Sequence, residues 1–294
     1  MRFFVKPLFA LWLLAAVALG LTVPVRQCHQ SSIGLQGCKS LLPKQVGQGV
    51  RARKPSPIFK QGHLVTRNIA KGFYDEEEGI RLRANSEAHP KNINDLIHMT
   101  QVIGRVLGED IPWGIFGGLA LIAYGEPNRQ TADIDVLLQT SIQELRKRLK
   151  ADPNFIVPSE EVYAKTRNMR AYYKWKNEIF QVDFNIPGLS KVWEKAKVED
   201  IVQQTHFQTS DQKSASVYAV RLDEIFQSKV ETLLNTHRNK ATDMQDISWI
   251  IKERPDAVTI AKPRLPIKLR QLVVSRLAHM RSPLVGKAKQ LLGI

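Results

Sequence analysis

The sequence predicts an α/β fold of the α+β kind, with strands and helices mixed first and helices alone at the C-terminal end. Three observations predict it. Ile134–Leu138 is a short apolar run typical of a buried strand. Residues 94–107 carry apolar side chains at helical spacing, and residues 222–236 and 242–251 show the clearest helical patterns of the chain.

The elements of the first half follow from local signals. Asn92 or Asn94 is suited to cap the helix over residues 94–107. The apolar run Pro112–Phe116 ends at a Gly-Gly pair, after which residues 119–124 resemble the first turns of a helix. Ser141 begins a capping-box pattern with Glu144, so a helix is predicted over residues 145–149.

Two neighbouring strands are predicted in the second half, at residues 172–175 and 179–186, joined by a tight turn at 176–178. After Pro187 the pattern indicates helices again. A basic amphipathic helix pair is predicted after Pro266, broken at Ser282-Pro283.

Positive charge is concentrated at the two ends of the chain. The formal net charge of the 294 residues is +15, but residues 1–74 contribute +11 and residues 257–294 contribute +8, both without a single carboxylate. The region between them has a net charge of −4. The overall charge therefore reflects the flanks, and it does not by itself indicate a nucleic-acid substrate.

The first flank predicts a targeting segment. Arg2 and Lys6 precede an apolar run over residues 8–25, a pattern that fits a cleavable signal peptide or a signal anchor. Either one predicts a secretory or membrane-associated protein. A mitochondrial transit segment is the alternative, because the first 74 residues contain no acid. Cys28 and Cys38 would pair only in an oxidising compartment, and two unpaired thiols are equally consistent with the sequence.

The composition divides the chain into four parts. Residues 1–25 are predicted to form the signal peptide or anchor, and residues 26–74 are predicted to form a basic, poorly ordered linker. Residues 75–256 form the globular domain, and residues 257–294 form a basic helical tail.

The chemistry is concentrated in a stretch that contains Asp133-Ile134-Asp135. Two carboxylates at positions i and i+2 of a strand lie on one face, about 7 Å apart along the backbone, while Ile134 points to the other face. Such a pair is costly without cations, and Mg²⁺ prefers carboxylate oxygens. Asp183, between Val182 and Phe184, is a third acid on a predicted strand.

The Gly117-Gly118 pair supplies a second feature. A strand that turns through glycine into a helix leaves free backbone N–H groups at the helix start, which suit a phosphate. With the three acids, this turn resembles the nucleotidyltransferase superfamily that includes DNA polymerase beta. The combination of Gly-Gly-x-Ala-Leu with Arg-x-Thr-x-Asp-Ile-Asp over residues 129–135 is most similar to the minimal nucleotidyltransferases and the abortive-infection toxins.

The resemblance spans about residues 94–255 and implies a small mixed nucleotidyltransferase sheet. It implies a transferase that moves an NMP from an NTP, with ATP expected, to a hydroxyl acceptor and releases pyrophosphate. Asp133 and Asp135 would hold two Mg²⁺ ions, and Asp183 would be the third ligand or the base. The nucleotide-binding residues implied are Gly117, Gly118, Arg129, Thr131 and Lys229.

Several alternatives remain open from the sequence. The acceptor is a protein, an RNA or a small molecule. A catalytically inactive protein that uses the same fold as a scaffold, tethered to a membrane through residues 8–25, is the alternative function. Arg129 suits a phosphate and a surface ion pair equally. The family pattern places a Lys before the first acid of Asp243-x-x-Asp246, where this chain has Thr242. A solvent-exposed first helical turn is therefore the preferred interpretation of those two acids.

Overall fold

A computed structural model describes residues 72–88, 90–166, 169–188, 193–194, 196–208, 214–235 and 240–294. All of them belong to a unit that spans residues 61–294. The predicted targeting segment and most of the predicted linker lie outside the described residues and stay predictions. Within the described ranges, no helix combines the length and the apolar character needed to cross a bilayer.

The described residues form eight strands and eleven helices, with one short 3₁₀ turn at Lys262–Arg264. The strands are β1 (Phe73–Tyr74), β2 (Trp113–Phe116), β3 (Asp133–Leu138), β4 (Phe155–Pro158), β5 (Met169–Trp175), β6 (Glu178–Asn185), β7 (Val202–Gln208) and β8 (Ser214–Val220). The helices are α1 (Glu76–Glu87), α2 (Ile93–Leu107), α3 (Gly117–Ala123), α4 (Ile142–Ala151), α5 (Glu160–Thr166), α6 (Val198–Ile201), α7 (Leu222–Thr232), α8 (Lys240–Glu253), α9 (Pro255–Ala261), α10 (Ile267–His279) and α11 (Val285–Leu292).

The strands form one mixed sheet in the order β1-β4-β5-β6-β3-β2-β8-β7. At its centre β3 runs parallel to β6 and antiparallel to β2, and β5 pairs antiparallel with β6. This arrangement confirms the predicted fold class. The prediction of helices alone after Pro187 is wrong, because β7 and β8 form a seven-residue antiparallel ladder between residues 202 and 220.

The two faces of the central strands differ in chemistry. Apolar side chains at alternate positions, including Ile134, Val136 and Val182, join the main core together with residues of α2 and α4. The opposite face carries Asp133 and Asp135, which are half-buried. Because strand side chains alternate between faces, the apolar positions fix the strands and thereby place the acids together on the other side.

Local capping accounts for where two helices begin. The Asn92 side chain accepts a hydrogen bond from the backbone of Asn94, and the Ser141 hydroxyl accepts one from the backbone of Glu144. Both caps were predicted. A side-chain cap satisfies an N–H group that has no partner within the helix and stabilises it by about 1 kcal/mol.

The first described segment, β1 with α1, joins the sheet at its edge. Phe73 and Tyr74, which lie in the range assigned to the linker, pair in parallel with Val157 and Pro158 of β4. Tyr74 and Leu82 form a second small core with Ile156 and Tyr172. The segment therefore packs against the face of β5 and β6 on which Tyr172 and Asp183 lie.

The C-terminal helices confirm the predicted basic pair. They are packed into the fold, however, and α10 contacts α7 and α8 while α11 contacts α9. Val273, Leu277, Ala288 and Leu292 are fully buried in the main core. Residues 257–294 are thus part of the same unit as the sheet.

Candidate active site

Three carboxylates meet on the acidic face of the sheet. Asp135 of β3 and Asp183 of β6 are directly opposed in the parallel register, and Asp133 precedes Asp135 by two positions on the same face. One oxygen from each of Asp133, Asp135 and Asp183 lies within 4.8 Å of the others. The structure therefore brings together the three acids that the sequence singled out.

The donor set fits a hard divalent cation. Mg²⁺ binds oxygen ligands at about 2.0–2.1 Å, so two oxygens on one ion lie at most about 4.2 Å apart. The three side chains meet that requirement with a small rearrangement, starting from their separation of at most 4.8 Å. Three half-buried carboxylates also repel one another, and a bound cation relieves this repulsion.

The glycine turn lies against the same carboxylates. Gly117 follows β2 with a positive φ of 66°, and a Cβ at this position would lie 2.0 Å from Oδ2 of Asp135. At Gly118 a Cβ would lie 3.0 Å from both Nη2 of Arg129 and Oγ1 of Thr131. Only glycine at position 117 allows the backbone to approach Asp135 so closely.

Thr131 and Arg129 link the glycine turn to the other parts of the site. The Thr131 hydroxyl lies 2.8 Å from Oδ1 of Asp133, to which it donates a hydrogen bond. The Arg129 side chain lies beside Gly118, and its Nε is 3.0 Å from Oδ1 of Asp246 on α8. Thr131 therefore contacts an acid of the sheet, and Arg129 contacts an acid of the helical part.

Lys229 of α7 occupies the centre of a buried charge cluster. Its Nζ lies 2.6 Å from Oδ2 of Asp246 and 3.1 Å from Oδ1 of Asp243. The two aspartates are each 2% exposed and Lys229 is 6% exposed. The interpretation of Asp243 and Asp246 as a solvent-exposed helical turn is therefore wrong. The usual exposed position of a helical lysine does not apply to Lys229 either, because these carboxylates offset the cost of burying its charge.

The pKa of a third acid in this region, Glu126, is shifted. Burial raises the pKa of the Glu126 carboxyl above its ordinary value, a hydrogen bond from Asn128 opposes the shift, and the charge of Asp246 adds to it. The positive charge of Arg129 opposes the shift as well.

Sequence reasoning missed the partner of the third acid. Arg170 of β5 is the direct neighbour of Asp183 in the antiparallel register. Its Nε lies 2.6 Å from Oδ1 and its Nη2 lies 2.9 Å from Oδ2 of Asp183. Burial opposes the Arg170 charge, but the hydrogen bonds and the charge of Asp183 outweigh it and raise the pKa of the guanidinium.

The signal that locates Arg170 is the hairpin. The sequence predicts a tight turn at residues 176–178, and the structure has a two-residue turn that pairs Trp175 with Glu178. Counting outward from that pair in antiparallel register leads directly to Arg170 opposite Asp183.

A protein-family model described as "Nucleotidyl transferase AbiEii toxin, Type IV TA system" matches residues 112–278, which contain the glycine turn, the three acids and the Lys229 cluster. The chain belongs to this family. The AbiEii match confirms the resemblance to abortive-infection-toxin nucleotidyltransferases, and it extends through β7, β8 and α10.

Solved structures give a more distant comparison. The crystal structure of JHP933 from Helicobacter pylori shares 17% sequence identity, covering 68% of this chain and 87% of that chain, with a TM-score of 0.39. A second H. pylori crystal structure shares 16% identity over 68% of this chain and 90% of that chain, with a TM-score of 0.38. Among curated proteins, no sequence matches.

Proposed function

We propose that the protein is a Mg²⁺-dependent nucleotidyltransferase that moves an NMP from an NTP, with ATP as the expected substrate, to a hydroxyl acceptor. The observation that carries the proposal is the meeting of Asp133, Asp135 and Asp183 beside the Gly117 turn. The AbiEii membership supports the same class of reaction, because the family is one of nucleotidyltransferases.

The carboxylates are the residues that would hold the metal. Asp133, Asp135 and Asp183 supply oxygen ligands on one sheet face, and they remain on rigid strands while the substrate binds and leaves. When bound, a divalent cation neutralises the negative charge of the triphosphate and of the transferring phosphoryl group.

The glycine turn and the cations would place the triphosphate. Gly117 and Gly118 leave room for phosphate oxygens next to the backbone at the start of α3. Arg129 is the more accessible cation, with a side chain 22% exposed, whereas the Lys229 side chain is 8% exposed. Arg129 would therefore contact the nucleotide directly. Lys229 would act through Asp246, which fixes the Arg129 guanidinium.

The chemical step is an in-line displacement. The acceptor hydroxyl oxygen forms a new bond to the α-phosphorus, the bond from that phosphorus to the bridging oxygen breaks, and pyrophosphate leaves with the electron pair. The hydroxyl proton passes to solvent. Positioning and charge neutralisation supply most of the rate acceleration in such a step, which is the role that fixed strand carboxylates serve.

Incubation of the full chain with each of the four α-³²P-labelled NTPs, Mg²⁺ and a cell extract tests the proposal. We expect label to enter a product with ATP, and we expect Asp135→Asn to reduce transfer by several orders of magnitude. Asp110→Asn is the control, because Asp110 is an exposed partner of Arg148 and lies outside the site. Equal transfer by the wild type and Asp135→Asn would exclude the mechanism. Nucleotide binding without any transfer would favour the inactive, scaffold-like alternative.

A further inference from the structure

The Asp183 carboxylate accepts hydrogen bonds from two side chains, those of Arg170 and Gln181. Both of its oxygens accept hydrogen bonds from Arg170, in the planar two-pronged geometry that only a guanidinium provides. Oδ2 also accepts a hydrogen bond of 3.1 Å from Nε2 of Gln181, a side chain that is 1% exposed. These contacts fix the plane and direction of the carboxylate.

Arg170 is itself anchored by the segment that precedes the AbiEii match. The backbone carbonyl of Arg170 accepts a 2.8 Å hydrogen bond from the Tyr74 hydroxyl at the end of β1. The next residue on that strand face, Tyr172, donates a 3.3 Å hydrogen bond to the Gly79 carbonyl of α1. Tyr74 and Tyr172 also pack edge to face, with ring centroids 5.4 Å apart. The position of Arg170 is thus set by its pairing with β6 and by contacts of β5 with β1 and α1.

We propose that Arg170 is a positioning residue for the metal site, which holds the Asp183 carboxylate in the orientation that ligates the cation. This inference rests on the proposed function and adds a residue to it. Each carboxylate oxygen has a second lone pair, so the ion pair leaves Asp183 able to bind a metal. A ligand fixed in advance loses less side-chain freedom on binding, and loss of such a partner costs 10–100-fold in metal affinity.

A competing account gives Arg170 only an electrostatic effect, and the two accounts predict opposite results. A cation beside the site repels Mg²⁺, so removal of its charge alone would tighten metal binding. On this account Arg170→Lys, which keeps the positive charge but loses the pair of parallel hydrogen bonds, would leave the metal affinity unchanged. If Arg170 positions Asp183, Arg170→Lys weakens binding and Arg170→Gln does not strengthen it.

The test measures Mn²⁺ binding to the full chain by electron paramagnetic resonance, without nucleotide, so that it does not depend on turnover. We expect the wild type to bind Mn²⁺ and Arg170→Lys to bind it at least 10-fold more weakly. The matched control is Arg148→Lys: Arg148 also forms a two-pronged pair, with Asp110, at nearly the same exposure, and it lies outside the site. Its Mn²⁺ affinity should equal that of the wild type.

A second variant keeps the inference testable if Arg170→Lys fails to fold. Gln181→Met removes the other donor to Asp183 and leaves the ion pair in place, and we expect a several-fold loss of Mn²⁺ affinity. Wild-type affinity in the folded Arg170→Lys variant, or tighter binding in Arg170→Gln, would overturn the positioning role and leave the proposed function intact. Absence of Mn²⁺ binding in the wild type would instead overturn the metal-dependent function.

Discussion

Asp135 and Asp183 are directly opposed on two parallel strands, which places their backbones about 4.8 Å apart. At this separation each carboxylate disfavours negative charge on the other, and the Arg170 guanidinium offsets part of this repulsion at Asp183. Their folded positions are maintained by the apolar core on the opposite face of β3 and β6. The energetic cost of the site is therefore present before any ligand binds.

Metal binding should consequently stabilise the protein. We expect Mg²⁺ to raise the thermal midpoint of the wild type, because a ligand at 100 times its Kd adds about 2.7 kcal/mol to the stability. Asp135→Asn should lose this response and should be at least as stable as the wild type in EDTA. Differential scanning fluorimetry with and without Mg²⁺ measures both effects. An unchanged Mg²⁺ response in the variant would place the ion elsewhere.

Gly117→Ala should damage both stability and activity. Its positive φ strains any other residue, and the new Cβ would lie 2.0 Å from Asp135 Oδ2, which forces the carboxylate away. Gly188→Ala is the matched control, since Gly188 has a φ of 84° but no atom within 4 Å of a built Cβ. Chemical denaturation should show a loss of about 1–3 kcal/mol for the control and a larger loss for Gly117→Ala. Equal losses would mean that the contact with Asp135 has no energetic effect.

Lys229→Ala should destabilise the protein by about 3–5 kcal/mol, because it removes one partner from a buried ion cluster. Lys252→Ala is the comparison, since Lys252 lies on α8 and its side chain pairs with Glu253 at the surface. That variant should change the free energy of unfolding by less than about 1 kcal/mol. Urea denaturation of the two variants distinguishes the cases, and similar midpoints would contradict a structural role for the Lys229 cluster.

Alkaline pH should destabilise the β1–α1 segment together with the sheet. Burial raises the pKa of Tyr172 from 10 to about 12, and burial raises the pKa of Tyr74 further. Between pH 10 and 12 the unfolded chain has lost these phenolic protons while the folded protein retains them, so stability falls as pH rises through this window.

Urea denaturation at pH 9, 10 and 11 measures this effect. Tyr172→Phe should show a smaller decrease in stability over this range than the wild type, because the substituted ring cannot ionise. Identical decreases in the two proteins would assign the alkaline instability to other groups.

Truncation after Ala261 should abolish folding of the whole unit. The deletion removes Val273, Leu277 and Leu292, all fully buried in the core that includes the sheet. Each such side chain contributes about 1.5–3 kcal/mol of burial free energy, so the three together contribute about 4.5–9 kcal/mol, which is comparable with the roughly 5–15 kcal/mol by which most domains are stable. Loss of the cooperative thermal transition would confirm it, and a folded, active fragment would contradict it.

The central part of the site could be predicted from the sequence because its signals are local. Asp133 and Asp135 alternate with apolar residues, so their common face follows from strand geometry alone. The Gly117-Gly118 turn likewise combines a strand end with a helix start. Asp183 could be placed on a strand in the same way, but its opposition to Asp135 depends on sheet register.

Other features depend on tertiary packing, which a single sequence does not reveal. Strand β7 reads Val-Gln-Gln-Thr-His-Phe-Gln, and its polar residues are tolerated because it lies at the sheet edge. Helix α1 is mostly polar, with Ile80 and Leu82 as its large apolar residues, so it gives almost no amphipathic signal. Burial of Asp243 and Asp246 follows only from the position of Lys229 on the neighbouring helix α7.

The two-residue hairpin turn at Lys176 and Asn177 has a consequence for how this protein tolerates sequence changes. Lys176 adopts a left-handed conformation there, with φ of 53°, and the turn lies about 20 Å along β5 from Arg170. A change in this loop that shifted the pairing of β5 and β6 by one position would turn Arg170 or Asp183 toward the apolar face. The turn thus helps to set which residues of β5 and β6 face each other at the other end of the hairpin, including Arg170 and Asp183.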